Sequence, residues 1–105
     1  MSKVKVKPGA CGLETEIIVR KKEGNLVEIS IESQSDNIKR LAKELKELDG
    51  TKEVFSNFAT SEIYKLSTKC GLHLACPVPS GIIKAIEVEC GLALPRDVEM
   101  TVSKE

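Results

Sequence analysis

Two stretches that alternate apolar and polar side chains lie on either side of Glu23-Gly24-Asn25. In the first, Leu13, Thr15, Ile17 and Val19 alternate with Glu14, Glu16, Ile18 and Arg20. In the second, Val27, Ile29 and Ile31 alternate with Glu28, Ser30 and Glu32. A period of two is that of a strand with one buried face. Two such runs joined by a short Gly-containing connection read as an antiparallel hairpin. A third run, Lys3 to Lys7, alternates lysine with valine and stops at Pro8-Gly9, as a short edge strand entering a turn does.

After the hairpin the period changes. Ser35-Asp36 can cap a helix whose apolar positions Ile38, Leu41, Ala42, Leu45 and Leu48 recur three and four apart, with Asp49-Gly50 as its stop. Lys39, Arg40, Lys43, Glu44, Lys46 and Glu47 fall between them and read as a solvated face. Thr51 to Ala59 carries no clear period. Thr60-Ser61 can cap a second helix through Ile63, Tyr64 and Leu66, closed at Cys70-Gly71, because glycine suits a left-handed cap. Pro77 and Pro79 mark a loop entering a third helix, about Ser80 to Cys90, again followed by glycine. A final alternation, Val98, Met100 and Val102 against Asp97, Glu99 and Thr101, reads as a last strand. The expectation is one α+β domain over residues 1–105, in the order β-β-β-α-α-α-β. Its mostly antiparallel sheet would form one layer and its helices the other, packed on one sheet face.

Charge and composition narrow the function classes. Sixteen basic residues balance sixteen acidic ones, so no overall field would hold a nucleic-acid backbone or an anionic membrane. Aromatic residues are 3% of the chain, which leaves little for base stacking or an aromatic-lined pocket. The opening Met1-Ser2-Lys3-Val4-Lys5 never builds the apolar run of a signal peptide. No apolar stretch approaches the roughly 18 residues of a membrane span. A cytoplasmic location is therefore expected. In a reducing compartment four cysteines read as metal ligands, reactive thiols or buried core rather than as disulfides.

Three of the four cysteines share a tripeptide: Cys11-Gly12-Leu13, Cys70-Gly71-Leu72 and Cys90-Gly91-Leu92. Glycine after cysteine leaves room around a metal and frees the backbone to donate to sulfur, but it equally suits a plain helix cap. The fourth, Cys76-Pro77, precedes a helix N-terminus, where the positive end of the macrodipole favours a thiolate. It is the best single candidate for a ligand or a reactive thiol. Five residues separate Cys70 from Cys76 and thirteen separate Cys76 from Cys90, unlike the short spacings of a zinc ribbon. His73, the only histidine, stands three residues before Cys76 and could complete a site.

Ala10-Cys11-Gly12 between two strands, and Cys76 ahead of a helix reading Ile82-Ile83-Lys84-Ala85-Ile86, together resemble the scaffold domain of the NifU and IscU type. That resemblance implies a site for iron-sulfur cluster assembly with ligands at Cys11 and Cys76. The scaffold family carries a further cysteine in the loop after the third strand, where this chain has Ser33-Gln34-Ser35-Asp36. Its acidic residue just after the first Cys-Gly is replaced by Leu13, with Glu14 one position on. Cys70 and Cys90 are additional to the scaffold pattern. The chain is also generally like small four-cysteine proteins of anaerobes.

Three function classes remain. The leading one is a small metal-binding protein in which Cys11, Cys70, Cys76 and Cys90 hold an iron-sulfur cluster or zinc, for assembly, carriage or structure. The second is a thiol redox or sulfur-transfer protein, with Cys76 as nucleophile and Cys70 or Cys90 resolving it. The third is a non-catalytic interaction module with buried, inert cysteines. A protein partner is compatible with each, and an uncovered first or last strand offers pairing across a homodimer.

Overall fold

The computed structural model describes residues 1–105, except for the side chain of Cys11. The alternating runs form strands β1 (Ser2–Val6), β2 (Thr15–Lys21) and β3 (Leu26–Ser33). A short 3-10 turn, Gly9–Cys11, connects the first two. The helices are α1 (Asp36–Glu44), α2 (Gly50–Val54), α3 (Glu62–Lys69) and α4 (Val78–Glu89), with strand β4 (Glu47–Asp49) between the first pair. All four strands join one antiparallel sheet in the order β1-β2-β3-β4. The α+β class and the predicted hairpin are both borne out.

Register explains why one sheet face is apolar. Val4 lies opposite Ile17 and Ile17 opposite Ile31, while Val19 faces Ile29 on the same side. Ile17, Val19 and Val27 are fully buried there, beneath α4 on β1 and β2 and α1 on β3. Each fully buried aliphatic side chain of this size contributes about 1.5–3 kcal/mol relative to exposure. The opposite face pairs charges: Glu16 lies opposite Lys5 and Arg20 opposite Glu28, with Lys3 Nζ 3.5 Å from Glu16. The helical layer can come close because of Gly81. A Cβ there would stand 2.7 Å from Val6 Cγ2, too near for two carbons.

The element order differs from expectation in its fourth strand. The helix predicted to reach Leu48 ends at Glu44, and Leu45 is already extended (φ −101°, ψ 91°) yet buried. Leaving the helix lets Leu48 pair with Val27 in the sheet. Helical spacing at residue 48 could not reveal this, because a strand neighbour with an empty edge competes for the same leucine. Residues 97–102, the expected last strand, form no strand and are exposed. Their alternation specified a face but supplied no partner within the chain.

The ambiguous stretch 51–59 holds α2 and a buried carboxylate. Glu53 accepts hydrogen bonds from the backbone N–H groups of Glu62 (3.0 Å) and Ile63 (3.1 Å) and from the Ser61 hydroxyl. It thus caps the start of α3 from a neighbouring helix, satisfying donors that the helix itself leaves open. Tyr64 on α3 and Ser80 on α4 then share a 2.9 Å hydrogen bond between hydroxyls.

Candidate functional site

Cys76 is buried in the loop that delivers the chain into α4. The loop is tight there, with the Cys76 N–H donating to the His73 carbonyl at 3.1 Å. Pro77 and Pro79 suit this entry because the first helical turn has no use for their missing N–H groups. Cys76 therefore immediately precedes the start of α4 in the chain, and the positive end of a helix favours a thiolate placed beside it.

A cleft of about 370 Å³ opens at this point. Pro8, Ala10 and Leu13 line it from the β1–β2 connection, Ser35, Asn37 and Ile38 from the start of α1, and Gly71, Leu72, His73 and Cys76 from the α3–α4 loop. Asn37 fastens two of these segments: its amide nitrogen donates to the Gly71 carbonyl at 3.1 Å, while its amide oxygen accepts from Arg40. Ser35 caps α1 by accepting from the Ile38 N–H at 3.4 Å. The Ser33 hydroxyl accepts from the Ser35 N–H at 3.2 Å and from Thr15 at 3.1 Å, which anchors the loop after β3 to β2. Cap chemistry at Ser35-Asp36 was readable in the sequence, but the tie through Asn37 was not.

Among the described residues, the nominated cysteine side chains do not gather as a group of three at one centre. Cys11 ends the 3-10 turn, and its side chain lies outside the described residues. His73 lines the cleft with Cys76 and is exposed. Cys70 closes α3, and its thiol donates to Glu44 Oε2 at 3.8 Å, by the far end of α1. Burial, then the Glu44 charge and that hydrogen bond, push the Cys70 thiol above its ordinary value. Cys90 caps the opposite end of α4 from Cys76. Twelve residues of helix lie between them, about 18 Å at the α-helical rise, so one metal centre in one chain cannot take both. Within the four-thiolate set, Cys90 is thus separated from Cys76 by the body of α4, as a helix running from about Ser80 to Cys90 already implies. The same distance removes Cys90 as a resolving thiol for Cys76.

The repeated tripeptide has a different origin. At Cys70-Gly71-Leu72, the Gly71 N–H donates to Thr68 O (3.1 Å) and the Leu72 N–H to Ser67 O (3.0 Å), with Gly71 at φ +83°. At Cys90-Gly91-Leu92, the Gly91 N–H donates to Val88 O (3.1 Å) and the Leu92 N–H to Glu87 O (2.8 Å), with Gly91 at φ +73°. Both are Schellman helix ends, in which glycine takes the left-handed position and the leucine N–H closes back on the helix; Leu72 then packs against the core, whereas Leu92 is exposed. Gly12, at φ +84°, closes the 3-10 turn in the same sense through Gly9 O at 2.9 Å. Shared backbone geometry at a left-handed glycine accounts for the repeat.

Among the described residues no three His, Cys, Asp or Glu side chains gather as a metal-binding group. Among the described residues, no helix is long and apolar enough to cross a membrane. Fold and site together define a two-layer α+β protein with a thiol and an imidazole at one cleft. The chain belongs to a protein family described as a family of unknown function (DUF6951), whose model matches residues 2–102. No curated protein and no solved structure matches it.

Proposed function

We propose that this protein binds a thiolate-ligated metal centre, an iron-sulfur cluster or zinc, at the cleft beside α4, with Cys76 and Cys11 as ligands and His73 as a third donor. The observation that carries the reading is the meeting of three separate segments at Cys76: the turn holding Ala10, the loop after β3 and the loop before α4. These are the same three places from which scaffold domains of the NifU and IscU type draw their ligands, and the serines of Ser33-Gln34-Ser35 occupy the one that lacks its cysteine here. Sulfur and imidazole donors suit iron-sulfur clusters and zinc rather than magnesium or calcium. Three donors leave a coordination position open, which favours assembly or carriage over a closed structural site. A reducing cytoplasm is the compartment in which such thiolates persist.

The test is anaerobic purification, with and without reconstitution by ferrous iron and sulfide or by zinc. Absorption, metal and sulfide content, and alkylation of each cysteine are then measured. The expected result is a stoichiometric metal whose presence protects Cys11 and Cys76 from alkylation and leaves Cys70 and Cys90 unchanged. A metal-free protein after reconstitution, with one fast-reacting thiol at Cys76, would replace this reading with the thiol redox one. Four uniformly slow thiols would leave an interaction module.

A further inference from the structure

The segment after α4 has the pattern of a strand without a strand's surroundings. Val98, Met100 and Val102 are 61, 85 and 91% exposed, and every residue from 91 to 105 is exposed. Three apolar side chains alternating with polar ones are costly to leave in water, and a segment of this pattern outside the sheet is a candidate for pairing with an open edge. At the other extreme of the chain, β1 pairs with β2 alone and is therefore an edge of the sheet. Val4 on β1 and Ile83 on α4, above it, are only partly buried, so the core is incomplete along this edge.

The two features are complementary. The polar face of β1 and its continuation is Lys3, Lys5 and Lys7, whereas that of the segment is Asp97, Glu99 and Thr101. A register that sets Glu99 opposite Lys5 sets Val98 and Met100 opposite Val4 and Val6 in either strand direction. It also sets Asp97 opposite a lysine, Lys7 if antiparallel and Lys3 if parallel. One face thus meets apolar with apolar and the other meets acid with base, the pairs that stabilise neighbouring strands. We propose that residues 97–102 add as a fifth strand to the β1 edge of a second copy of this chain, and that the exchange is reciprocal. Each copy carries one segment and one β1 edge, so two copies satisfy both and the assembly closes as a two-fold dimer.

Sedimentation velocity of the full chain over a range of concentrations is the direct test, with hydrogen exchange on the same samples. A dimer is expected in which amides 97–102 are protected. Met100→Asp, at a position exposed in the single chain, should raise the dimer dissociation constant by a factor of about ten or more without altering the monomer's circular dichroism. Lys5→Glu should weaken the dimer about two- to fivefold, and adding Glu99→Lys should restore it. A monomer at every concentration would overturn the proposal, as would a dimer indifferent to Met100→Asp. Protection of 97–102 in a monomer would overturn it too, by assigning the segment to its own sheet.

Discussion

The two ends of α4 carry a cysteine each, and the surroundings make them chemically opposite. At the N-terminal end Cys76 sits where the helix dipole is positive and where a cleft gives access to a histidine and to two further segments. At the C-terminal end Cys90 sits where the dipole is negative, pressed against the backbone of Gly50. Burial pushes the Cys90 thiol up; Lys21 opposes this, and Glu89 and Asp49 reinforce it. The difference teaches that a cysteine's neighbours in sequence say less about its chemistry than the end of the helix on which it stands.

The sharpest way to break the comparison is to remove each thiol in turn. Cys76→Ser should abolish metal retention after desalting, while Cys90→Ala should retain the wild-type metal-to-protein ratio. Equal losses in the two variants would mean that the ends are not functionally distinct. Packing gives the next largest effect. A Cβ on Gly50 would stand 2.9 Å from Cys90 Sγ and 3.0 Å from both Ile86 Cγ2 and Val27 Cγ1. Gly50→Ala should therefore destabilise by about 1–3 kcal/mol in denaturant unfolding, the usual penalty for overpacking. In a Cys90→Ala background the cost of Gly50→Ala should shrink, because the nearest obstructing atom is gone. Additive costs would show that sulfur is not what fills that space.

What could be read in advance follows from which interactions are local. The hairpin from Thr15 to Ser33 was legible because period two and the glycine turn at 24 lie within one short window. The starts of α1 and α3 were legible because Ser35 and Ser61 cap helices three residues on. Leu48 was misread because its strand partner, Val27, is distant in sequence, and residues 97–102 because a strand also needs a neighbour. At the site, the prolines and the helix start marked Cys76, but convergence is a property of tertiary placement. Asn37 bonding to Gly71, and Glu53 capping α3, join residues whose types give no signal of it. The Cys-Gly-Leu repeat was visible and its meaning was not, since cap and ligand loop call for the same glycine.

Reactivity sharpens the contrast on a smaller scale. A thiol whose pKa is raised carries less thiolate at neutral pH and alkylates more slowly. Cys70, raised first by burial and then by the charge of Glu44, and Cys90, raised first by burial, should both alkylate more slowly than an unstructured cysteine peptide in a mass-resolved time course on metal-free protein. Glu44→Gln removes the negative charge beside Cys70 and should speed that thiol without changing Cys90. If Cys90 reacted as fast as the free peptide, the claim that burial at the C-terminal end of α4 quiets its thiol would fail.

The smallest expected effect lies in the pH dependence of the Cys90 end. Glu89, the last residue of α4, accepts from the Ser2 hydroxyl (2.7 Å) and the Lys21 N–H (2.8 Å) and lies 3.2 Å from the N-terminal ammonium. Burial works against its charged form, but these three partners outweigh it and hold the carboxyl below its ordinary value. A carboxyl depressed in the folded state contributes stability above its unfolded pKa, and that contribution is lost as pH falls through the folded one. Unfolding midpoints should therefore decline as pH is lowered below the ordinary carboxylate range. Glu89→Gln should flatten that decline while lowering stability at neutral pH, because its amide cannot pair with the ammonium. The cleft end of α4 offers an internal control: metal retention at Cys76 should be the same in Glu89→Gln as in the wild type at neutral pH. A coupled loss would show that α4 transmits disorder along its length rather than separating two independent ends.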